Sequence, residues 1–432
     1  MRNKIVLIHV DSLRREYLSS WLLGKKFGEK GFDVLLSSRH STRRILRFFT
    51  PAIFISTHPF TVKFSELENL KKRGTKIYVN EVEGTDKQSG VSSTYPEFFL
   101  NEKINYDIFS GIFVWGKFSY KWLLENRNLN NQKLFLSGSI RQSKLVRPFK
   151  KKNNELVVGI ISRFEIINVY DGRHPFSNLI NLDPEDENWR WYFERFAIDS
   201  EAFSIAIKLT NKLIENGYKV SIRPHPNEKI STYNLLKQKY GSLFKIDSSY
   251  DINEWLNEVS VVVGPTSTAF TEAYLAGIPI ISFSGIQKNK YSHYDRTSVM
   301  SEFDRAAFKP DTVDEAYRIC TSLDLKPRTS EQLDRYFNKF FSLDKKEDPI
   351  NFIVEHVEKN DFDKKITGFE KFLSFVMQFI FLSICDFLFI MKYIIKNPSF
   401  TTLDYLKQYN YNRLLHKPTI FMKEIKHQKL RK

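Results

Sequence analysis

The chain has 432 residues, is 42% hydrophobic and carries a formal net charge of +16. That length and apolar content can bury two cores. Its cysteines, Cys320 and Cys385, are far apart in the sequence, which excludes a zinc pattern or a disulfide framework and indicates a reducing compartment. Met1-Arg-Asn-Lys leads directly into a predicted strand, without a signal peptide, so we expect the protein to begin and work in the cytoplasm.

Predicted strands and helices alternate along the first third of the chain. The strands are predicted at 4–10, 32–37, 52–56, 76–80, 111–116 and 133–137, and the helices at 13–27, 65–73 and 117–126. No Gly-x-Gly-x-x-Gly follows the first strand, which argues against a dinucleotide-binding dehydrogenase. A second α/β series begins at 155–162, after a polar linker at 150–154. The sequence therefore predicts two Rossmann-like units that face a cleft.

A histidine loop follows a predicted strand of the second series. Arg223-Pro-His-Pro-Asn-Glu228 comes after the strand predicted at 218–222, and two prolines hold His225 in an extended segment. The imidazole can donate to a phosphate oxygen, and its charge near neutral pH could stabilise a departing nucleoside phosphate. The alternative is that His225 only caps a strand.

A hydroxyl loop follows another predicted strand, at 259–263, and precedes a helix predicted at 268–276 that Gly277 ends. Thr266, Ser267 and Thr268 would then lie where free backbone N–H groups and a positive dipole end favour a phosphate. Glu272, one turn further along, could accept bonds from a ribose diol. Both loops can meet at the carboxyl ends of the strands of one sheet, which indicates a nucleotide-sugar site. The alternative for the hydroxyls is simple helix capping.

The sequence between 223 and 283 resembles a known family. Arg223-Pro-His-Pro, followed by Pro-Thr-Ser-Thr-x-x-x-Glu-Ala-x-x-x-Gly-x-Pro, is similar to the C-terminal half of the GT-B glycosyltransferases called surface carbohydrate biosynthesis proteins. Bacterial sialyltransferases and Kdo transferases are more distantly similar. In those relatives a His-Pro pair and a Ser/Thr pair hold the CMP of a CMP-sugar, which implies this role for His225, Pro226, Ser267 and Thr268. Arg223, Glu228, Thr266 and Glu272 complete the predicted donor site, and no metal or cofactor is required.

The resemblance also implies a general base in the N-terminal half. Asn80-Glu-Val-Glu-Gly-Thr85 is similar to the Asp/Glu-Asp/Glu-Gly motif of bacterial sialyltransferases, whose second acid deprotonates the acceptor hydroxyl. That acid corresponds to Glu83, whereas Val82 occupies the first acidic place and Glu81 lies one residue earlier. A carboxylate beside an apolar wall can have a raised pKa suited to this task. The alternative is a solvated loop carboxylate.

The C-terminus is apolar and then basic. Residues 372–395 are rich in Phe, Leu and Ile, and residues 391–432 contain ten Lys or Arg against two Asp or Glu, which is +8. The polar side chains of 372–395, with Asp386 at the middle, approximate one stripe, as in a helix lying in the membrane interface. A helix docked on the protein and a spanning helix remain alternatives. The basic tail would meet anionic lipid head groups, or would be a disordered solubilising tail.

These features together predict a metal-independent GT-B glycosyltransferase at the cytoplasmic face of the inner membrane. Its domains would be an acceptor domain at 1–147, a donor domain at 148–345 and a membrane-associated segment at 346–432. It would move a sugar such as Kdo or a nonulosonate from a CMP-sugar to a lipid-linked acceptor of capsule or lipopolysaccharide, with Glu83 and His225 as the catalytic pair. The alternatives are a CDP-glycerol-type glycerophosphotransferase and a non-catalytic GT-B membrane assembly partner. The basic residues lie beside an apolar helix rather than an aromatic platform, which argues against nucleic-acid binding.

Overall fold

Two parallel β-sheets of six strands each form the framework of the described part of the chain. Contacts divide that part into a first unit, within residues 1–84, 98–147 and 338–432, and a second unit, within 85–97 and 148–337. The computed structural model describes residues 5–10, 13–38, 42–43, 45–46, 50–59, 62–81, 87–88, 93–94, 104–127, 129, 132–146, 155–169, 172, 174–178, 188–247, 249, 251–289, 304–342 and 347–359.

The elements follow one another in an α/β rhythm. Up to residue 146 they are β1 (Ile5–Val10), α1 (Leu13–Glu29), β2 (Asp33–Ser38), β3 (Ile53–Ser56), α2 (Phe64–Lys72), β4 (Lys76–Asn80), β5 (Lys87–Gln88), β6 (Ser93–Thr94), β7 (Gly111–Val114), α3 (Lys117–Asn126) and β8 (Leu134–Leu136). The later elements are β9 (Val157–Ile161), α4 (Asn188–Glu215), β10 (Lys219–Arg223), α5 (Asn234–Tyr240), β11 (Phe244–Ile246), α6 (Ile252–Leu256), β12 (Val261–Gly264), α7 (Ala269–Leu275), β13 (Ile280–Ser282), β14 (Ala307–Phe308), α8 (Val313–Cys320), α9 (Glu331–Phe341) and α10 (Pro349–Glu358).

The sheet of the first unit has the strand order β2-β1-β3-β4-β7-β8, and all its neighbours pair in parallel. Strands β1, β3 and β7 are buried along their whole length. Helices that cover both faces of a parallel sheet bury its strands in this way, which explains their continuous apolar sequences. One core cluster of this unit contains Leu7, Phe54, Ile77, Ile112 and Leu123.

The sheet of the second unit has the strand order β11-β10-β9-β12-β13-β14, again with parallel pairing throughout. Its first strand, β9, has β10 on one side and β12 on the other. The chain thus reverses its winding direction at β9, which makes the crevice beside the carboxyl end of this strand a topological switch point. Ligands of open α/β sheets bind at such points.

These two sheets confirm the predicted α/β class and its two units. The strand predicted at 76–80 and the helix predicted at 117–126 have the predicted bounds, and the other predicted elements that the structure describes differ by at most two residues at either end. Gly277 ends α7 with a φ of +67°, as predicted from its position after the last apolar residue of the helix.

The C-terminal part of the chain is described as far as residue 359. Helix α10 belongs to the first unit, where Phe352 packs edge-on against Phe113 with ring centroids 6.5 Å apart. Asp348 caps this helix at Ile350 and also accepts a 2.7 Å hydrogen bond from Ser143. The predicted membrane segment at 372–395 and the basic tail lie outside the described residues. Within the described residues no helix combines the length and the apolar character needed to cross a membrane.

Candidate functional site

Three loops meet at the carboxyl edge of the second sheet. They follow β9, β10 and β12, and hydrogen bonds join them to one another. The amide of Ser162, after β9, donates to the carbonyl oxygen of Arg223 at 3.2 Å, and the amide of His225 donates to the Ser162 hydroxyl at 3.0 Å. On the other side of β9, the guanidinium of Arg163 donates to the carbonyl oxygen of Thr266 at 3.0 Å. The histidine loop and the hydroxyl loop thus lie on either side of the switch point.

Gly264 allows the hydroxyl loop to leave β12 close to β9. A Cβ atom at this position would lie 2.4 Å from the carbonyl oxygen of Ile161, a distance that no side chain tolerates. The glycine therefore sets the spacing between the loops that follow β9 and β12.

Glu228 lies inside the structure with no exposed surface. Its carboxylate accepts hydrogen bonds from the Ser162 hydroxyl at 2.8 and 2.9 Å, from the Phe164 amide at 2.7 Å and from the Tyr233 hydroxyl. Burial raises the pKa of Glu228 to about 7, although these hydrogen bonds oppose the shift. The prediction made Glu228 a donor ligand, but in this conformation its side chain ties the histidine loop to the end of β9.

His225 is only partly buried, and a carboxylate lies against it. The imidazole keeps 34% of its side-chain surface exposed, and its Nδ1 lies 3.0 Å from Oε2 of Glu165, which follows β9. The other oxygen of Glu165 accepts a 2.9 Å hydrogen bond from Arg195 of α4. Arg195 is in turn paired with Asp199, one helical turn later, at 2.7 Å. A chain of alternating charges thus runs from α4 to the histidine loop.

This series of charged side chains contains two carboxylates whose pKa values are shifted in opposite directions. Burial would raise the pKa of Glu165, but the charges of His225, Arg195 and Arg163 outweigh it and lower that pKa to about 2. Burial raises the pKa of Asp199 to about 6, against the attraction of Arg195. Glu165 is therefore ionised at neutral pH beside the histidine.

The hydroxyls of the second loop have three different environments. The Thr266 hydroxyl is 2.9 Å from both carboxylate oxygens of Asp304. The Ser267 hydroxyl accepts a 3.3 Å hydrogen bond from the Ala269 amide, and the Thr268 side chain makes no capping hydrogen bond. All three side chains are partly exposed, and α7 behind them has seven residues. Ser267 and Thr268 are therefore the better placed of the three to meet a ligand.

Two further predicted donor ligands are largely buried. Arg223 is 8% exposed, and its guanidinium pairs with Asp247 and donates to the Ser249 hydroxyl at 2.9 Å. It joins the ends of β10 and β11. Glu272, on α7, is 7% exposed, and Pro226 is partly buried next to His225.

The predicted base, Glu83, lies outside the described residues, whereas Glu81 is described and is 3% exposed. The Glu81 carboxylate accepts hydrogen bonds from the Trp115 amide at 2.8 Å and from the Ser119 hydroxyl at 3.4 Å. Its carbonyl oxygen accepts the Trp115 indole N–H. Glu81 thus holds the end of β4 to the start of α3 inside the first unit, and it is not the solvated loop carboxylate that was the alternative for this motif.

Sequence reasoning did not find Glu165, Arg195 or Asp199. The only local signal is the i, i+4 spacing of Arg195 and Asp199, which is common on solvated helix faces. Glu165 follows Arg163 and Phe164 at a strand end, where a single carboxylate has no spacing pattern that would mark it. Their meeting with His225 depends on α4 packing beside the ends of β9 and β10, and no short motif contains that information.

Comparison with known proteins shows the fold. No family model matches the sequence, and no curated protein matches it. A structure of a histidine-to-asparagine variant of the wall teichoic acid polymerase TagF is similar, with a TM-score of 0.51, 12% identity, and coverage of 83% of this chain and 88% of that chain. A structure of the same variant after a 30-minute soak with CDPG has a TM-score of 0.51 at 10% identity, and the match covers 83% of this chain and 89% of that chain. At this identity the likeness establishes a GT-B-like fold of two parallel α/β units and nothing about activity.

Proposed function

We propose that the protein is a transferase of surface-glycan biosynthesis that takes an activated group from a cytidine nucleotide. The observation that carries this proposal is that the histidine loop and the hydroxyl loop are both hydrogen-bonded to the loop after β9, at the switch point of the second sheet. His225 offers a donor that can be charged on one side of β9, and Ser267 and Thr268 offer partly exposed hydroxyls on the other side. Such an arrangement is suited to the phosphate of a leaving nucleotide.

Two donor classes fit this arrangement. The resemblance of the loops to those of sialyltransferases supports a CMP-sugar, such as a CMP-Kdo or CMP-nonulosonate donor. The GT-B-like fold shared with a teichoic acid polymerase supports CDP-glycerol. In both reactions CMP is the leaving group, so His225 would stabilise the same developing charge. The bond that breaks differs: it is the sugar C–O bond in a CMP-sugar and the P–O–P bridge in CDP-glycerol.

A donor screen tests the proposal. CMP, CDP-glycerol and a CMP-sugar should raise the thermal midpoint, since a ligand at about 100 times its dissociation constant adds about 2.7 kcal/mol to the free energy of unfolding. His225→Ala and Ser267→Ala should each weaken CMP binding by about tenfold or more, because each removes a hydrogen bond to a charged group. His174→Ala is the control, since His174 is an exposed histidine of the same unit whose described contacts are with Phe176 and not with the histidine loop or the hydroxyl loop.

The screen also separates the two donor classes. Transfer from CDP-glycerol carries a phosphate into the product, which phosphorus NMR detects in the acceptor, whereas transfer from a CMP-sugar does not. Unchanged CMP affinity in a folded His225→Ala protein would show that the nucleotide does not bind at this edge of the sheet. Nucleotide binding without transfer to any lipid-linked acceptor would favour the non-catalytic assembly partner.

We further propose that residues 372–432 hold the enzyme at the cytoplasmic face of the membrane, where a lipid-linked acceptor would be available. The support comes from the sequence: an apolar, Phe-rich stretch is followed by a basic tail. Each basic residue near an anionic surface contributes about 1 kcal/mol, and salt screens that part but not apolar burial. High salt should therefore release the protein only in part from anionic vesicles, and deletion of 372–432 should release it with CMP binding intact. A truncated protein that loses CMP binding would show that this segment packs on the core instead.

A further inference from the structure

The position of Glu165 raises the question of which nitrogen of His225 carries the proton. Two groups approach Nδ1 of that ring. The carboxylate oxygen Oε2 of Glu165 is 3.0 Å away and can only accept a proton, and this buried oxygen has no hydrogen-bond donor among the described residues in this conformation. The backbone amide of Asn227 can only donate a proton, and it donates a hydrogen bond to Nδ1 at 3.3 Å. The neutral ring can satisfy one of them at a time. With Glu165 as the partner, Nδ1 carries the proton and Nε2 keeps its lone pair; with Asn227 as the partner, the reverse holds.

The charges around the ring decide which of the two tautomers is favoured. When the His225 ring is neutral, the positive charges that still face Glu165 are Arg195 from α4, which donates to Oε1 at 2.9 Å, and Arg163 from its own loop, and both favour the ionised carboxylate. An ionised carboxylate 3.0 Å from a nitrogen lone pair would be repelled, whereas a charge-assisted hydrogen bond is about twice as strong as a neutral one. The other nearby carboxylates are committed elsewhere, since Asp199 pairs with Arg195 and Glu228 lies among its own donors.

We propose that Glu165 is a positioning residue that fixes His225 as the tautomer protonated at Nδ1, so that Nε2 is the nitrogen that exchanges a proton with the ligand. When His225 is doubly protonated, the carboxylate balances its charge and Nε2–H donates to a phosphate oxygen. When the ring is neutral, Nε2 accepts a proton. Arg195 holds Glu165 in this orientation, and Asp199 holds Arg195. The part played by the ligand rests on the proposed function, but the tautomer does not.

The Glu165→Gln variant should reverse the tautomer rather than merely weaken the contact. Arg195 donates to Oε1 of Glu165 at 2.9 Å, so the glutamine will turn its oxygen toward Arg195. Its NH₂ group then faces Nδ1 as a donor, in the same sense as the Asn227 amide. Both neighbours of Nδ1 would be donors, and the neutral ring would carry its proton on Nε2.

Nitrogen NMR of protein labelled with ¹⁵N-histidine measures the tautomer directly. The chain has nine histidines, and the His225→Ala spectrum assigns the resonances of His225 by their loss. Above the pH at which the ring loses its charge, the wild type should show Nδ1 protonated and Nε2 unprotonated, and Glu165→Gln should show the reverse. The matched control is Glu201→Gln, because Glu201 of α4 accepts the amides of Lys288 and Asn289 at 2.8 and 2.9 Å, away from His225.

The wild-type spectrum alone can overturn the inference. A neutral His225 protonated at Nε2 would mean that the Asn227 amide, not Glu165, sets the ring, whether or not any variant folds. An unchanged tautomer in a folded Glu165→Gln protein would contradict it as well. CMP affinity is a separate measurement: Glu165→Gln should weaken it by about tenfold while Glu201→Gln leaves it unchanged. If the tautomer reverses but no nucleotide binds the wild type, the inference stands and the proposed function fails.

Discussion

The carboxyl edges of the two sheets are built from different chemistry. At the second sheet, buried or half-buried ionisable groups hold the loops: Glu228 among three donors, Glu165 between His225 and Arg195, and Arg223 paired with Asp247. At the first sheet, the buried Glu16 pairs with Arg15 at 2.7 Å at the start of α1, and the other described contacts of this edge are mostly between neutral groups. The Thr42 hydroxyl joins Nδ1 of His9 at 2.9 Å to the Ser37 hydroxyl at 2.6 Å, and Glu81 binds backbone and hydroxyl donors.

This difference bears on how rigidly the loops of each edge are held. Buried charges are costly unless they are paired, and breaking one partner of such a pair is more destabilising than deleting a neutral hydrogen bond. A network of that kind keeps loops rigid, which suits the recognition of a phosphate by fixed donors.

Deleting the Glu228 carboxylate tests the charged edge at its centre. Glu228→Ala leaves the Ser162 hydroxyl, the Phe164 amide and the Tyr233 hydroxyl without their acceptor in a site that has no exposed surface. Each unsatisfied buried group costs about 1 to 3 kcal/mol, so we expect a loss of about 3 kcal/mol or more in the free energy of unfolding. Urea denaturation followed by circular dichroism measures it.

The control for that experiment is Glu215→Ala at the exposed end of α4, which should change stability by less than about 0.5 kcal/mol. A Glu228→Ala protein as stable as this control would show that water or a rearranged loop replaces the carboxylate. The charged edge would then not be the rigid element that the comparison requires.

The sequence predicted the framework of both edges and only part of their chemistry. Short apolar, β-branched sequences indicate strands that are buried on both faces of a sheet, so β4, β9 and β12 could be predicted from the local sequence pattern. The Arg223-Pro-His-Pro loop was found because it follows such a strand. The role of Glu228 was not predicted, because the local sequence of a glutamate at a loop end does not show whether its side chain faces solvent or the core. Its burial depends on its contacts with Tyr233, which shares no sequence motif with it, and with the end of β9, which is distant from it in the sequence.

The predicted base provides the next largest effect. Glu83→Gln should lower turnover about a hundredfold or more while leaving CMP binding and fold intact, because the amide keeps the shape of the acid and loses its basicity. Single-turnover transfer with a saturating donor measures the chemical step. A fully active Glu83→Gln enzyme, beside an inactive but folded Glu81→Gln enzyme, would assign the base to the other carboxylate of the motif.

The pH dependence of stability sharpens the contrast at the second edge. The pKa of Glu228 is raised to about 7, above its value of about 4.3 in an unfolded chain. The stabilisation is therefore fully present below about pH 4.3 and is lost as pH rises through 7, because the unfolded chain releases its proton first.

Comparing the wild type with Glu228→Gln isolates this group, since the shifted carboxyls of Glu165 and Asp199 are present in both proteins. The stability of the wild type relative to the variant should fall by roughly 2 to 3 kcal/mol between pH 4.5 and pH 8. Urea denaturation at several pH values measures the difference. A difference that stays constant with pH would mean that Glu228 is ionised throughout, held by its three donors.

The smallest expected effect concerns the first edge. Glu81→Gln keeps one acceptor oxygen for the Trp115 amide and presents its NH₂ group to Ser119, whose hydroxyl can turn and accept. We expect a loss of about 1 kcal/mol, the value of one hydrogen bond, against about three times that for Glu228→Ala. Thermal unfolding with and without CMP measures both the stability and the donor site. Nucleotide affinity should not change, because the proposed donor loops belong to the second unit. A loss in Glu81→Gln as large as that in Glu228→Ala would show that the two edges do not differ in how much their buried carboxylates matter.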